Sequence, residues 1–291
     1  MKIINISLLI VALLFFKIYN AIAFAPHSKI VPDRSIIYKS VNGIELTVDV
    51  FEPQGGKTTP PRSAIIFFFG GGWITGEPKQ FYHQAKTLAD LGMVAFSANY
   101  RVKSRNKTTP VECVKDGKSA IRWVRENAAK LGIHPDRIIV AGGSAGGHVA
   151  ACTGLIEGCE EAGENQWISS IPNAMILFNP VLDTTNNGYG VNSFKLDQQT
   201  ELSPCHHIRK GIVPTIIFHG TADRTVPFEN ASRFTKLMQD AGNQCVLVPF
   251  EGKDHGFFNR TLKINSDETC YEATMKYIVE FLIANGYLKS N

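Results

Sequence analysis

An α/β domain with a mostly parallel central sheet and helices on both faces is the fold this sequence predicts, and three observations predict it. Short runs of apolar, β-branched and aromatic residues alternate along most of the chain with longer stretches of helical period. Asn42-Gly43 sits between two strand-like runs near the start, which marks an antiparallel hairpin opening that sheet. Ser144, Asp223 and His255 each follow an apolar run. In open α/β sheets, ligands and catalytic groups collect outside the carboxyl ends of the strands.

The elements follow in order. Lys2 opens a short basic start, Ile3 to Phe16 is almost entirely apolar, and Ala21-Ile22-Ala23 is a small-x-small cleavage site. Residues 1–23 therefore read as a secretory signal peptide cut before Phe24. Lys17 interrupts the apolar stretch and leaves it short for a membrane span, so no stable span is expected after cleavage; the alternative is an uncleaved anchor. Residues 24–291 are then one catalytic domain, long enough for a large core. Within it, 35–51 carries the hairpin and 54–62 a Gly/Thr/Pro loop. A strand at 63–69 precedes a helix near 81–91, and a strand at 93–97 precedes a long helix near 111–131. The strand 137–141 feeds a small-residue helix starting at Gly146. Strands at 174–178 and 215–218 flank the interval 179–211, which is rich in Asn, Thr, Gly and Ser and breaks the alternation. That insertion reads as a small cap over the site or as a surface excursion. A helix at 228–241, a strand at 245–250 and an amphipathic helix at 267–285, with Tyr271, Met275, Ile278 and Leu282 on one face, close the chain.

Charge and cysteines narrow the partners. The formal charge of +4 falls to +2 once the two leader lysines are removed, and basic residues are dispersed apart from Lys103, Arg105 and Lys107. This balance argues against nucleic acid as a partner. Six cysteines in an exported chain permit disulfides of undetermined pairing; Cys152 and Cys159 are placed to be neighbours, and Cys245 reads as a packed strand thiol. No Cys/His spacing suggests a metal, and the adjacent His206-His207 would not face one ion. Asn106, Asn230 and Asn259 each begin an Asn-x-Ser/Thr sequon.

The chemistry centres on Gly142-Gly143-Ser144-Ala145-Gly146. A strand before it and a helix after it make the sharp turn that holds a serine nucleophile in a strained backbone, with small neighbours on both sides. A serine hydroxyl needs a base, and His255 is the candidate; Asp223 would fix its tautomer and stabilise its cation. Attack on an ester carbonyl creates an oxyanion, for which backbone N–H groups of Ala145 and of the Gly70-Gly71-Gly72 loop are available. No cofactor is required. The alternative for Asp223 is a helix N-cap ahead of Val226-Pro227, and Asp254 is a rival third member whose adjacency to His255 hinders reach to Nδ1. His219 reads as structural and His148 as a packing residue. Trp73 either lines the acyl pocket, as a substrate contact, or staples the glycine loop.

Together, the glycine loop with Trp73, Asn99-Tyr100-Arg101, Asp136-Arg137-Ile138, His219-Gly220-Thr221-Ala222-Asp223 and His255-Gly256-Phe257 resemble the α/β-hydrolase fold. The likeness is nearest to the hormone-sensitive-lipase-like carboxylesterases and the acetyl and feruloyl esterases beside them. It runs from about Ile44 to Asn285. It implies a triad of Ser144, Asp223 and His255, with oxyanion donors from Gly71, Gly72 and Ala145. One departure is Phe69, where that family has a histidine bracing the loop; the donors are backbone, so activity is expected to survive with altered loop rigidity.

The leader implies a secreted or periplasmic protein, and the resemblance implies a serine esterase that acts on short acyl esters through an acyl-enzyme. Its substrate would be a small molecule or acetyl or feruloyl groups on a polysaccharide. One alternative is a prolyl-oligopeptidase-type serine peptidase, against which the glycine loop and the missing propeller weigh. The other is a non-catalytic hydrolase-fold binding protein, against which the complete Ser144, Asp223 and His255 set weighs.

Overall fold

The computed structural model describes residues 29–55, 61–260 and 266–290; the expected signal peptide and its cleavage site lie outside them. Eight strands form one sheet among the described residues: β1 (Arg34–Val41), β2 (Ile44–Phe51), β3 (Arg62–Phe68), β4 (Val94–Ala98), β5 (Ile133–Gly143), β6 (Ala174–Phe178), β7 (Thr215–Gly220) and β8 (Cys245–Phe250). Their order is β1-β2-β4-β3-β5-β6-β7-β8. The hairpin β1–β2 and the β2–β4 pair are antiparallel, and every pair from β4–β3 to β7–β8 is parallel. This is the α/β-hydrolase architecture expected from the sequence.

The parallel strands are continuous apolar runs because both faces are covered. Successive residues of β3 alternate between two cores. Ala64, Ile66 and Phe68 pack on one side with the helices α2 (Pro110–Glu126), α3 (Ala145–Leu155) and α4 (Phe228–Asp240). Ile65 and Phe67 pack on the other with α1 (Tyr82–Asp90) and α5 (Glu268–Ala284). Strand β8 is an edge, which suits Pro249, since proline cannot donate to a further strand.

Two boundaries differ from the expectations. The helix near 111–131 is interrupted: α2 ends at Glu126 and a separate turn spans Ala128–Leu131. Asn127 lies between them with φ −94° and ψ 10°, and its side-chain amide donates to the Trp123 carbonyl at 2.9 Å. A side-chain bond of this kind competes with continued helix. The central strand is longer than 137–141, because Ile133 already pairs with Arg62 across a register shift.

Candidate active site

Strand β5 runs directly into the turn. Gly143 closes the strand, Ser144 adopts φ 56° and ψ −120°, and α3 starts at Ala145. A non-glycine residue in such a region costs about 1–3 kcal/mol and persists only where its surroundings fix it. Here the Ser144 N–H donates to the Phe178 carbonyl of β6 at 2.9 Å, and the His148 N–H donates to the Ser144 carbonyl at 3.0 Å. Gly146 is required by close approach, since a Cβ there would collide with the Phe68 and Phe69 carbonyl oxygens.

The ends of β7 and β8 deliver the partners. His255, past β8, sets Nε2 2.9 Å from Ser144 Oγ and Nδ1 2.8 Å from Asp223 Oδ2. The Asp223 carboxylate, past β7, is fully buried. Its Oδ1 accepts from the Thr225 and Val226 N–H groups at 2.8 and 2.9 Å, and its Oδ2 also lies 3.2 Å from His219 Nε2. Burial alone would raise this carboxyl, but hydrogen bonding from His219 and His255 outweighs it and holds Asp223 well below the usual carboxylate range. An ionised Asp223 keeps a proton on Nδ1 of His255 and leaves Nε2 to accept from serine. Asp254, the rival, is engaged elsewhere: its Oδ2 pairs with Arg224 Nη2 at 2.5 Å, and its Oδ1 accepts from the His255 backbone N–H at 2.7 Å.

The glycine loop faces the same point. The Gly70 N–H donates to Gln80 Oε1 at 2.6 Å, and the Gly71 carbonyl accepts from Ile74 and Thr75 N–H at 3.0 and 3.1 Å. Gly71 has φ 128°, a conformation only glycine takes readily. Among the described residues, the N–H groups of Gly71, Gly72 and Ala145 meet no acceptor. Phe69 stacks on Tyr100, with centroids 4.1 Å apart, and the Tyr100 hydroxyl donates to the Phe69 carbonyl at 2.6 Å. Arg105 lies over the Phe69 ring and donates to the Gly76 carbonyl at 2.6 Å. This aromatic and cationic clamp holds the loop at the position where the resembled family has a bracing histidine.

Trp73 corrects one expectation. It is 2 % exposed, does not line the cleft, and packs edge-on to His148 and Phe194, so it staples the loop rather than touching substrate. Its indole N–H donates to His148 Nδ1 at 3.2 Å, and His148 Nε2 lies 2.7 Å from the Leu202 carbonyl. His148 thus packs as expected, and burial lowers its pKa to about 4. His206 and His207 turn to separate partners, Ser203 and the Thr200 carbonyl. The six cysteines carry no disulfide, and Cys245 is a packed thiol that burial pushes up to about 12.

The sequence marks Asn179 only as the start of the 179–211 interval. The structure brings it into the site: Oδ1 accepts from the Gly256 N–H at 3.1 Å, and Nδ2 lies 3.4 Å from His255 Nε2. Its position at the carboxyl end of β6, beside the serine strand, is the signal that marks it. The resulting cleft of about 740 Å³ is walled by the glycine loop with Ile74 and Thr75, by Tyr189 from the 179–211 interval, and by Thr225 and Phe258.

Comparison with known proteins agrees with this geometry. The BD-FAE family model matches residues 48–238. A probable isoprenylcysteine alpha-carbonyl methylesterase of Arabidopsis thaliana is 28% identical over 80% of this chain and 52% of its own length. An acetylxylan esterase of Xylanibacter ruminicola is 28% identical over 68% of this chain and 42% of its own. The chain therefore spans about half the length of the curated relatives it matches. The apo form of Thermogutta terrifontis esterase 2 superposes with a TM-score of 0.84 at 46% identity, covering 91% of this chain and 98% of that one; the same esterase has been solved with propionate and with butyrate bound. With this match over most of the described sheet, the chain belongs to the BD-FAE family of α/β-hydrolases.

Proposed function

We propose that this protein is a serine esterase that hydrolyses short-chain carboxylic esters through an acyl-enzyme on Ser144. The observation that carries the reading is the line from Asp223 through His255 to Ser144, at 2.8 and 2.9 Å, opening beside three backbone N–H groups that meet no acceptor among the described residues. His255 Nε2 takes the Ser144 proton as Oγ attacks the ester carbon. The oxyanion is received by Gly71, Gly72 and Ala145, each donor contributing on the order of 3 kcal/mol. The alcohol leaves with the proton from His255. Water, activated by the same ring, then releases the acid.

Three observations support short acyl groups on a hydroxylated carrier, in particular acetyl esters of a polysaccharide. One relative is named an acetylxylan esterase, a solved neighbour binds propionate and butyrate, and the cleft carries Thr75, Tyr189 and Thr225 hydroxyls. The leader-like residues 1–23 support export. Hydrolysis of p-nitrophenyl acetate, butyrate and octanoate by the wild type and Ser144→Ala tests the chemistry. The expected result is a Ser144-dependent rate that falls with chain length; an absence of Ser144-dependent hydrolysis on all three refutes the esterase. Acetate release from acetylated xylan tests the carrier. Amino-terminal sequencing of protein recovered outside the cytoplasm, expected to begin at Phe24, tests export.

A further inference from the structure

We infer that the Tyr189 hydroxyl is a specificity-determining group that binds a hydroxyl on the alcohol side of the ester. The inference rests on the esterase reading above and names what that cleft selects. Tyr189 lines the same cleft as Ser144 and His255, and its hydroxyl lies beside Gly72 of the glycine loop. A Cβ built on Gly72 would find, among the described residues, only Tyr189 Oη within 4 Å, at 3.7 Å. No described residue bonds to that hydroxyl, although the rest of Tyr189 is closely held.

The holding is elaborate for a loop residue. The Tyr189 N–H donates to the Asp183 carbonyl at 3.0 Å. Asp183 is 1% exposed, accepts from the Thr185 N–H and hydroxyl at 2.8 and 2.7 Å, and pairs with Arg233 on α4. On one side Gly188 lies against the Asp183 carbonyl. On the other, a Cβ on Gly190 would reach 2.6 Å from Trp73 Cζ3. The Tyr189 and Trp73 rings lie 6.1 Å apart. The hydroxyl is therefore fixed before substrate arrives, the condition under which one polar contact gives most selectivity.

The chemistry of the ester decides what the hydroxyl meets. A short saturated acyl chain offers only its carbonyl oxygen, and three backbone donors already face that atom. An apolar alcohol would strip water from Tyr189 and return nothing, which costs more than the bond itself is worth. An alcohol with a hydroxyl beside the ester oxygen restores the bond. A site built to bond a substrate hydroxyl discriminates against the analogue that lacks it.

The test compares 2,3-dihydroxypropyl acetate with propyl acetate, which differ only in hydroxyls, using wild type and Tyr189→Phe. The wild type is expected to favour the hydroxylated ester. In Tyr189→Phe the ratio of the two kcat/KM values should fall about tenfold, the worth of one hydrogen bond. Because the ratio is internal to one preparation, a loss of folded protein cancels. An unchanged ratio, with or without an equal fall on both esters, overturns the assignment. Acetylated xylan separates the two readings. A protein that leaves xylan intact but shows the Tyr189-dependent ratio refutes the polysaccharide carrier alone. One that deacetylates xylan with an unchanged ratio refutes Tyr189 alone.

Discussion

At the scale of single residues, two neighbouring strand ends supply chemically similar carboxylates with opposite expected roles. The Asp223 carboxylate is buried, with His255 on one oxygen and two backbone N–H groups on the other; the Asp254 carboxylate is partly exposed and pairs with the exposed Arg224. Asp223→Asn keeps the size and the Oδ1 contacts while removing the charge that orients the His255 tautomer. The expected result is a fall in kcat on the order of 10⁴ with folding retained. Asp254→Asn should change kcat by no more than a few-fold, because its ion pair is exposed. Steady-state kinetics on p-nitrophenyl acetate, alongside circular dichroism, checks both, and equal losses would contradict the assignment of Asp223. The sequence made this choice legible, since adjacency in the chain already hindered Asp254 from reaching the ring. It did not make Trp73 legible. Whether an indole beside a glycine loop faces the cleft or the core depends on φ at Trp73, here 60°, and on His148 and Phe194 behind it. Two sequon asparagines are decided by the fold in the same way: Asn230 and Asn259 are 3% and 4% exposed, and in the folded chain neither is open to a glycan.

At the scale of elements, the glycine loop shows what the strand pattern leaves out. The alternation of runs located β3, the loop and every other parallel strand, because buried strands and turn residues are local signals. What braces the loop is not local. Gln80 accepts from Gly70 and donates to Asn259 Oδ1 at 3.1 Å, thereby joining the loop to the segment that carries His255. Gln80→Leu leaves the Gly70 N–H without its acceptor and loosens the turn that aims the Gly71 and Gly72 donors. Those donors act most on the oxyanion, so kcat is expected to drop about tenfold while KM moves little. A rise in KM at constant kcat would instead mark Gln80 as a substrate contact, and the steady-state split decides between the two.

At the scale of the whole molecule, buried charge ties distant segments together. Helix α2 reads in sequence only as part of a long helix, yet in the fold its Asp116, Lys118 and Arg122 are all buried. Asp116 pairs with Lys39 of β1 at 2.7 Å and with Arg101 at 2.8 Å, and Glu161 joins the same two cations. No periodicity in one helix can announce partners this far away in sequence. Removing Asp116 leaves two buried cations sharing the Glu161 carboxylate, so Asp116→Ala is expected to cost about 3 kcal/mol in urea unfolding. His148 is a second tie, linking α3 to Trp73 and to Leu202. Its ordinary pKa is 6.5, and burial lowers it to about 4 in the folded chain. Below pH 6.5 the unfolded chain takes up a proton that the folded chain refuses until about pH 4. Stability from this group is therefore complete above pH 6.5 and is lost on acidification across that window, by about 2 kcal/mol at pH 5. His148→Phe removes the linkage. Its stability at pH 7 should be lower, because the Trp73 and Leu202 bonds are gone, but its loss between pH 7 and pH 5 should be about 2 kcal/mol smaller than the wild type's. Urea midpoints at the two pH values measure the difference. Equal losses would mean that the folded molecule accepts the proton on His148 as readily as the unfolded chain, although protonated Nδ1 can no longer accept from the Trp73 indole.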